Sequence, residues 1–421
     1  MFRWRIAILV SAAIAISYLD RQTLPVAIQA IGRDIPLSNE QFSTLQSAFL
    51  FSYAFMYVGG GKLADSLGTK LGFTLIMLFW SFACVSHGFA LGFGMLLASR
   101  FLLGIGEGGA FPAATRVVAE WFSARERSTA MGIMNGGSAV GAIVAPPLIA
   151  VILIYANWRW IFFCTGALGL LWTLWWRRTY FSPGERSLPA GNERAAAQVV
   201  AETPAVARKI PWLELFRYRE TWGLVSAKFL SDAGWYFYLF WLPKYLYDAR
   251  GFNIKGVGAI AWIPHVAAGI GCLAGGWFSS YLMRRKFSLD AARKLAMALS
   301  VMVMPLILLV PREPVSWAMV IFSLAYFGQQ SWSTLVMTLP TDLFPSSVVG
   351  AVAGLIGFGG AIGGIVFGEL VGYLLDHGFG YGLVFRLVGT FHVVALIIIL
   401  VVVRRIAPLR MQSQLGSQGA P

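Results

Sequence analysis

The sequence predicts an all-α membrane protein: twelve transmembrane helices in two pseudo-symmetric six-helix bundles. Three observations predict it. The 421-residue chain is 57% apolar and only 12% charged, against about 25% charged residues in ordinary soluble domains. A soluble fold built from it would lack the polar surface to cover its core. Apolar runs of about 20 residues, the length that crosses a bilayer, recur along nearly the whole chain. Finally, the stretch that begins at Ala119 returns in altered form at Thr341.

Six apolar spans lie near 6–30, 41–63, 71–91, 95–119, 129–155 and 158–176, and six more near 221–247, 256–282, 292–310, 315–340, 347–375 and 383–403. The intervening polar stretch divides the chain into an N-terminal bundle (1–178), a linker (179–220), a C-terminal bundle (221–404) and a tail (405–421). The opening "MFRWRIAILV" runs straight into the first span without a small-residue cleavage site, so that helix is expected to stay in place. An even number of crossings puts both termini on one side. Of the 33 lysines and arginines, 22 fall in segments on the side of the termini, seven on the other side and four inside spans. By the positive-inside rule both termini are cytosolic. Because the basic residues sit in short segments beside Trp and Tyr, the net charge of +14 reflects membrane topology and a lipid bilayer as partner, not nucleic acid. Cys84, Cys164 and Cys272 are an odd set without metal-ligand spacing. They are expected to be small buried hydrophobes, with no disulfide framework and no zinc.

At a constant offset of 222, Glu120 meets Asp342, Phe122 meets Phe344, and Gly132, Gly137 and Gly141 meet Gly354, Gly359 and Gly363. A duplicated six-helix unit is the layout expected of a rocker-type transporter with its site at the repeat interface.

The loop "GGGKLADSLGTK", with Gly61, Asp65, Gly68 and Lys70, resembles the signature loop of the major facilitator superfamily. Ser66 and Thr69 stand where that loop usually carries basic residues. The matching loop "GGWFSSYLMRRK" keeps the glycines and the basic end. The resemblance implies the major facilitator fold, with Asp65 as a conformational latch; a solvated turn is the plainer alternative. "YLDRQTLPVA", "RFLLGIGEGGAFPAATRVVAEWFSARERSTAMGIMNGGSAVGAIVAPPL" and "KFLSDAGWYFYLFWLPKYLYDARGF" resemble the anion:cation symporter branch, and within it the hexuronate transporters. This implies import of a sugar acid, such as galacturonate or glucuronate, with protons across a bacterial inner membrane, by a protein working as a monomer. Some sugar-acid members of the branch carry a Gln in the fifth span and an Asn in the eleventh. Here Ser138 and the run Gly357 to Gly360 stand in those places, which favours the hexuronate reading over the aldonate one.

An ionisable residue inside a span marks a functional site by default. Asp20 and Arg21 are neighbours and point about 100° apart on a helix. Either the two are locked into ion pairs with other helices, or Arg21 grips the substrate carboxylate with its planar fork and Asp20 sits behind it as a proton-sensitive partner. Arg100 and Glu107 lie two turns apart on one face of the fourth span. Glycines at 104, 106, 108 and 109 pack Glu107 closely enough to desolvate it, and the resemblance marks it as the proton carrier. Arg100 is read as a buried counter-charge for Asp20 or Glu107, or a substrate contact. Arg116 is structural, spaced to pair with Glu120 at i+4.

Lys228, Asp232 and Tyr236 recur every four residues in the seventh span and form one polar face. Lys228 and Asp232 either neutralise each other or form a binding wall, and Tyr236 offers a sugar a ring face and a hydroxyl. Tyr18 and Tyr53 match family positions near the site. In the tenth span Gln330, Ser333 and Thr334 share a face, with Gln329 and Trp332 in reserve; neutral donors and acceptors suit a polyhydroxyl ligand. His265 and His392 are read as packing residues, and Glu369 lies toward the outer end of the eleventh span. No phosphate-binding loop, metal cluster or nucleophile–base arrangement stands out, so neither an enzyme, a cofactor nor ATP-driven transport is expected. The competing readings are an exchanger for other organic anions (aldonate, aldarate), a drug exporter of the same fold, and a transporter-like sensor. Arg21 and Lys228 argue for an anion, and a linker of about forty residues is short for a signalling domain.

Overall fold

The computed structural model describes residues 2–122, 124–181, 212–345 and 348–409. Inside helices, the side chains at 57–66, 124–125, 127–128 and 212–213 lie outside the described set. The described residues are helical, without strands. The first crossings are α1 (Phe2–Asp34), α2 (Asn39–Leu67) and α3 (Thr69–His87). The fourth is split into α4 (Phe93–Gly108) and α5 (Ala110–Trp121), and α6 (Ala124–Tyr155) and α7 (Arg159–Thr179) follow. After a short α8 (Trp212–Leu215), α9 (Arg219–Asp248) is the seventh crossing and α10 (Ile254–Ile260) with α11 (Ile263–Arg284) the eighth. The ninth joins α12 (Leu289–Met302) to a 3-10 turn (Met304–Arg312). Last come α13 (Val315–Leu343), α14 (Val349–Asp376) and α15 (Gly380–Ile398), which ends in a π turn (Ile399–Val403).

All twelve expected spans are present, and local chemistry explains their ends. Ser38 and Gln41 form a reciprocal capping box at the start of α2, satisfying two backbone donors that a helix otherwise leaves open. Asn253 caps α10 and Ser288 caps α12. Seven helical stretches are long and apolar enough to cross a membrane on their own; α4, at 16 residues, is not among them, because the fourth crossing breaks at Gly109.

The chain forms two compact units. The first comprises Met1–Ala205, Phe237–Val266 and Gly368–Phe379, and the second Val206–Tyr236, Ala267–Phe367 and Gly380–Pro421. Within the first, α6 lies directly on α1: a Cβ on Gly137 would overlap the Ser11 carbonyl oxygen, and one on Gly141 that of Ala15. Within the second, α14 lies on α9 in the same register. There Gly359 meets Val225, and a Cβ on Gly363 would overlap the Phe229 carbonyl oxygen. The repeat seen in the sequence is thus a repeated packing solution. In lipid, where apolar burial drives little helix association, small residues four apart let backbones approach and gain dispersion contacts.

The charged part of the repeat has its own purpose. Glu120 accepts from Arg116 Nε at 2.9 Å, from Tyr180 OH at 2.6 Å and from the Thr69 hydroxyl. Burial, and then the Glu120 carboxylate, raise the Tyr180 phenol above its ordinary range and keep it a donor. Asp342, its counterpart, accepts from Arg293 Nε at 2.8 Å. The i+4 pairing of Arg116 with Glu120 is as expected.

Gly141→Val is expected to cost about 1–3 kcal/mol or more by forcing α6 off α1. Gly132→Ala, where an added Cβ meets nothing within 4 Å, is expected to leave stability unchanged or raise it. Thermal unfolding of the two detergent-solubilised variants checks the contrast.

Candidate functional site

Four charged side chains are buried in the middle of the first unit: Asp20, Arg21, Arg100 and Glu107. Two carboxylates and two guanidinium groups balance in charge, but they do not pair as neighbours in sequence. Arg21 Nε donates to Glu107 Oε2 at 2.8 Å, and Ser17 Oγ donates to the same oxygen at 2.6 Å. Ser17 and Arg21 are one helical turn apart on α1, so a single face of that helix presents two donors to one carboxylate oxygen. Glu107 Oε1 is buried and makes no hydrogen bond to any described residue.

The guanidinium of Arg21 stands over aromatic rings, 4.5 Å from the Tyr53 centroid, 4.7 Å from Tyr18 and 5.5 Å from Phe49. Such faces attract a desolvated cation and fix the plane of the fork. With Nε spent on Glu107, the two terminal nitrogens of Arg21 make no hydrogen bond to any described residue. They are the pair of parallel donors that a second carboxylate could take bidentately.

Asp20 turns away from this group, as the helical angle requires. Its carboxylate accepts from Trp80 Nε1 at 2.7 Å and lies 3.5 Å from Cys84 Sγ. The neighbouring Asp20 and Arg21 therefore form no pair. The partner of Arg21 arrives from 86 residues away. Arg100, buried among the same charges, makes no direct ion pair with Asp20 or Glu107. It donates from Nη2 to Gln46 Oε1 at 2.9 Å, faces Phe49 at 5.5 Å, and its Nε and Nη1 make no hydrogen bond to a described residue. Its direct partner is an amide because α2, and not α1, carries the polar group within its reach. Asp65 lies outside the residues whose side chains are described.

The second unit holds a separate polar cluster. Lys228 Nζ lies 2.9 Å from Asp232 Oδ1 and donates to Ser333 Oγ at 2.7 Å. Asp232 is in turn pressed against Gly360, where a Cβ would overlap its Oδ2. Tyr236 is half-buried, two turns on from Lys228 along α9. Gln330 is half-buried too. Thr334 turns elsewhere: its hydroxyl donates to the Gln330 carbonyl at 2.9 Å and lies 3.3 Å from Cys272 Sγ. That side of α13 is covered by α11, so Ser333 joins Lys228 and Thr334 does not.

Of the three buried histidines, two meet a glutamine of another helix: His265 lies 3.2 Å from Gln22 Nε2, and His392 is bonded to Gln329, while His87 is bonded to the Ala83 carbonyl of its own helix. Glu369 receives the Thr44 hydroxyl at 3.4 Å. Among the cysteines only Cys84 is fully buried; Cys164 is exposed and Cys272 half-buried, and all three are free. A thiol facing lipid costs little, so burial was not required. No group of His, Cys, Asp or Glu among the described residues could hold a metal ion. Ser17 was missed, although its spacing of four residues from Arg21 could have found it. Trp80, Gln46 and Phe49 were not legible in the sequence, because nothing local ties them to Asp20, Arg100 or Arg21.

The Major Facilitator Superfamily model matches residues 10–368. The hexuronate transporter of Escherichia coli (strain K12) is 28% identical over 426 residues, covering 100% of this chain and 98% of that protein. The galacturonate transporter of Dickeya chrysanthemi is 30% identical over 306 residues, covering 72% of this chain and 89% of that protein. A crystal structure of a D-xylose-proton symporter superposes with a TM-score of 0.75 over 96% of this chain and 98% of that one; at 14% identity the likeness shows the fold alone.

Removing one partner of a buried pair strands the other charge, whereas removing both can be nearly neutral. Arg21→Met is therefore expected to lose about 3–5 kcal/mol, and Arg21→Met combined with Glu107→Met to recover most of it. Thermal unfolding of both variants tests this; equal destabilisation would show that the pair is not the energetic unit.

Proposed function

Because the chain belongs to the major facilitator superfamily, whose members are membrane transporters and not enzymes, we propose that it is a secondary active transporter importing a hexuronate, such as galacturonate or glucuronate, with protons by alternating access. The observation that carries this reading is the Arg21–Glu107 pair with the open donor edge of Arg21. A hexuronate presents one carboxylate on a polyhydroxyl ring. The carboxylate takes the terminal nitrogens of Arg21, and the rings of Tyr18 and Tyr53 hold the guanidinium in plane while it does so.

The proton follows from charge balance. Before binding, Glu107 and Arg21 neutralise each other in a site of low dielectric. When substrate engages Arg21, the cation has two anions to serve, and an uncompensated buried carboxylate is costly. Proton uptake by Glu107 removes that cost, so substrate and proton enter together. Asp20, whose hydrogen-bond donors among the described residues are neutral, is the second proton site. In the second unit Lys228, Ser333, Gln330 and Tyr236 offer the mixture of charge, amide and hydroxyl that sugar hydroxyls require. The transport names of the two relatives support the substrate class. The excess of Lys and Arg on the side of the termini supports an inner-membrane protein with both ends in the cytosol.

The test uses proteoliposomes and labelled galacturonate and glucuronate. An imposed gradient, acid outside, is expected to drive accumulation that a protonophore abolishes. Glu107→Gln mimics the protonated form, so it should still exchange internal for external substrate while gradient-driven accumulation falls to the level seen with protonophore. Parallel loss of exchange and accumulation would remove Glu107 as the coupling residue.

A further inference from the structure

On the face of the first unit where α1 begins, the start of α3 and the end of α7 enclose a cavity of about 280 Å³ lined by Leu67, Gly68, Thr69, Lys70, Leu71, Thr74 and Arg177. Trp176 Nε1 of α7 donates to the Lys70 carbonyl of α3 at 3.2 Å, and within α3 the Thr74 hydroxyl donates to the same oxygen at 2.7 Å. Lys70 and Arg177 are the charged residues of the lining, and no carboxylate joins them. Neither side chain makes a hydrogen bond or ion pair with any described residue. Elsewhere on this face Arg3 is paired with Glu126 and Arg116 with Glu120. Two cations without a partner carboxylate among the described residues therefore line one concavity, where a bound anion could neutralise both.

What surrounds them says which anion. Leu67 and Leu71 of the lining are 40% and 50% exposed. Apolar side chains left open beside two cations, at the end of membrane-crossing helices, are the surroundings of a headgroup region. A free anion would have no use for the apolar rim, whereas a phospholipid presents a phosphate to the cations and the start of its acyl chains to the leucines.

We infer that the cavity formed by Lys70 and Arg177 at the α3–α7 junction binds the phosphate of an anionic phospholipid. The site is separate from the Arg21–Glu107 cluster and is independent of which substrate is carried. Each basic residue near an anionic membrane surface strengthens lipid attraction about fivefold, so the two together account for about thirtyfold.

Native mass spectrometry of the full chain in detergent, titrated with phosphatidylglycerol or phosphatidylcholine, tests this. Phosphatidylglycerol is expected to bind in preference to phosphatidylcholine. Lys70→Gln combined with Arg177→Gln should weaken that binding by about thirtyfold, while Lys255→Gln combined with Arg386→Gln, which removes the same charge elsewhere, should leave it unchanged. Thermal unfolding without added lipid checks that each variant folds. Should the first pair unfold, Arg177→Gln alone, at an exposed position, carries the test with an expected loss of about fivefold. Equal weakening by both pairs, equal affinity for the two lipids, or displacement of phosphatidylglycerol by an equal concentration of inorganic phosphate would each overturn the assignment.

Discussion

A charge placed inside a membrane-spanning helix must find its opposite within the protein, and the Arg21–Glu107 contact shows how this chain meets that demand. The 2.8 Å bond joins the first and fourth crossings at a depth where water cannot substitute for either partner. The surroundings follow from it. Glycines along α4 bring Glu107 close: a Cβ at Gly104 would overlap the Ser52 hydroxyl, and one at Gly106 would sit 2.7 Å from Trp80. Ser17 shares the burden of Glu107 Oε2, and three aromatic rings face the guanidinium. Trp80 also holds Asp20, so the residue that closes the α3–α4 contact positions the second carboxylate.

The two units solve the problem of packing in lipid in the same way and then diverge in chemistry. Gly137 and Gly141 against α1 have their equivalents in Gly359 and Gly363 against α9, and Glu120 has its equivalent in Asp342. The buried charges are not duplicated. The first unit carries a fork of parallel donors suited to a carboxylate. The second carries a lysine shared between Asp232 and Ser333, with amide and hydroxyl groups nearby. Duplication supplied the scaffold, and the buried polar groups differ from one unit to the other.

Much of the fold was legible because apolar length and glycine spacing are local properties. The twelve spans, the repeat and the Arg116–Glu120 pair could all be read from neighbouring residues. The site was legible in part. That Arg21, Glu107, Asp20 and Arg100 are buried followed from their place inside apolar runs, but their partners did not. That Asp20 and Arg21 point apart followed from helical geometry, but which neighbours they meet did not. Arg100 meets Gln46 and Asp20 meets Trp80 through packing between helices, which no sequence period encodes. The same limit explains Thr334: its face of α13 is set by how closely α11 approaches, at Gly275 and Gly276.

The proposed coupling is that the substrate carboxylate and the Glu107 carboxylate compete for Arg21, so that a proton taken up by Glu107 accompanies the substrate. Calorimetric titration of galacturonate into the solubilised protein, near neutral pH in two buffers of different ionisation enthalpy, measures this most directly. The difference in heat between the buffers gives the protons exchanged on binding. Uptake of about one proton per bound hexuronate is predicted for the natural protein, falling by about one in Glu107→Gln. Binding with the same heat in both buffers, or the same proton uptake in Glu107→Gln, would contradict the account.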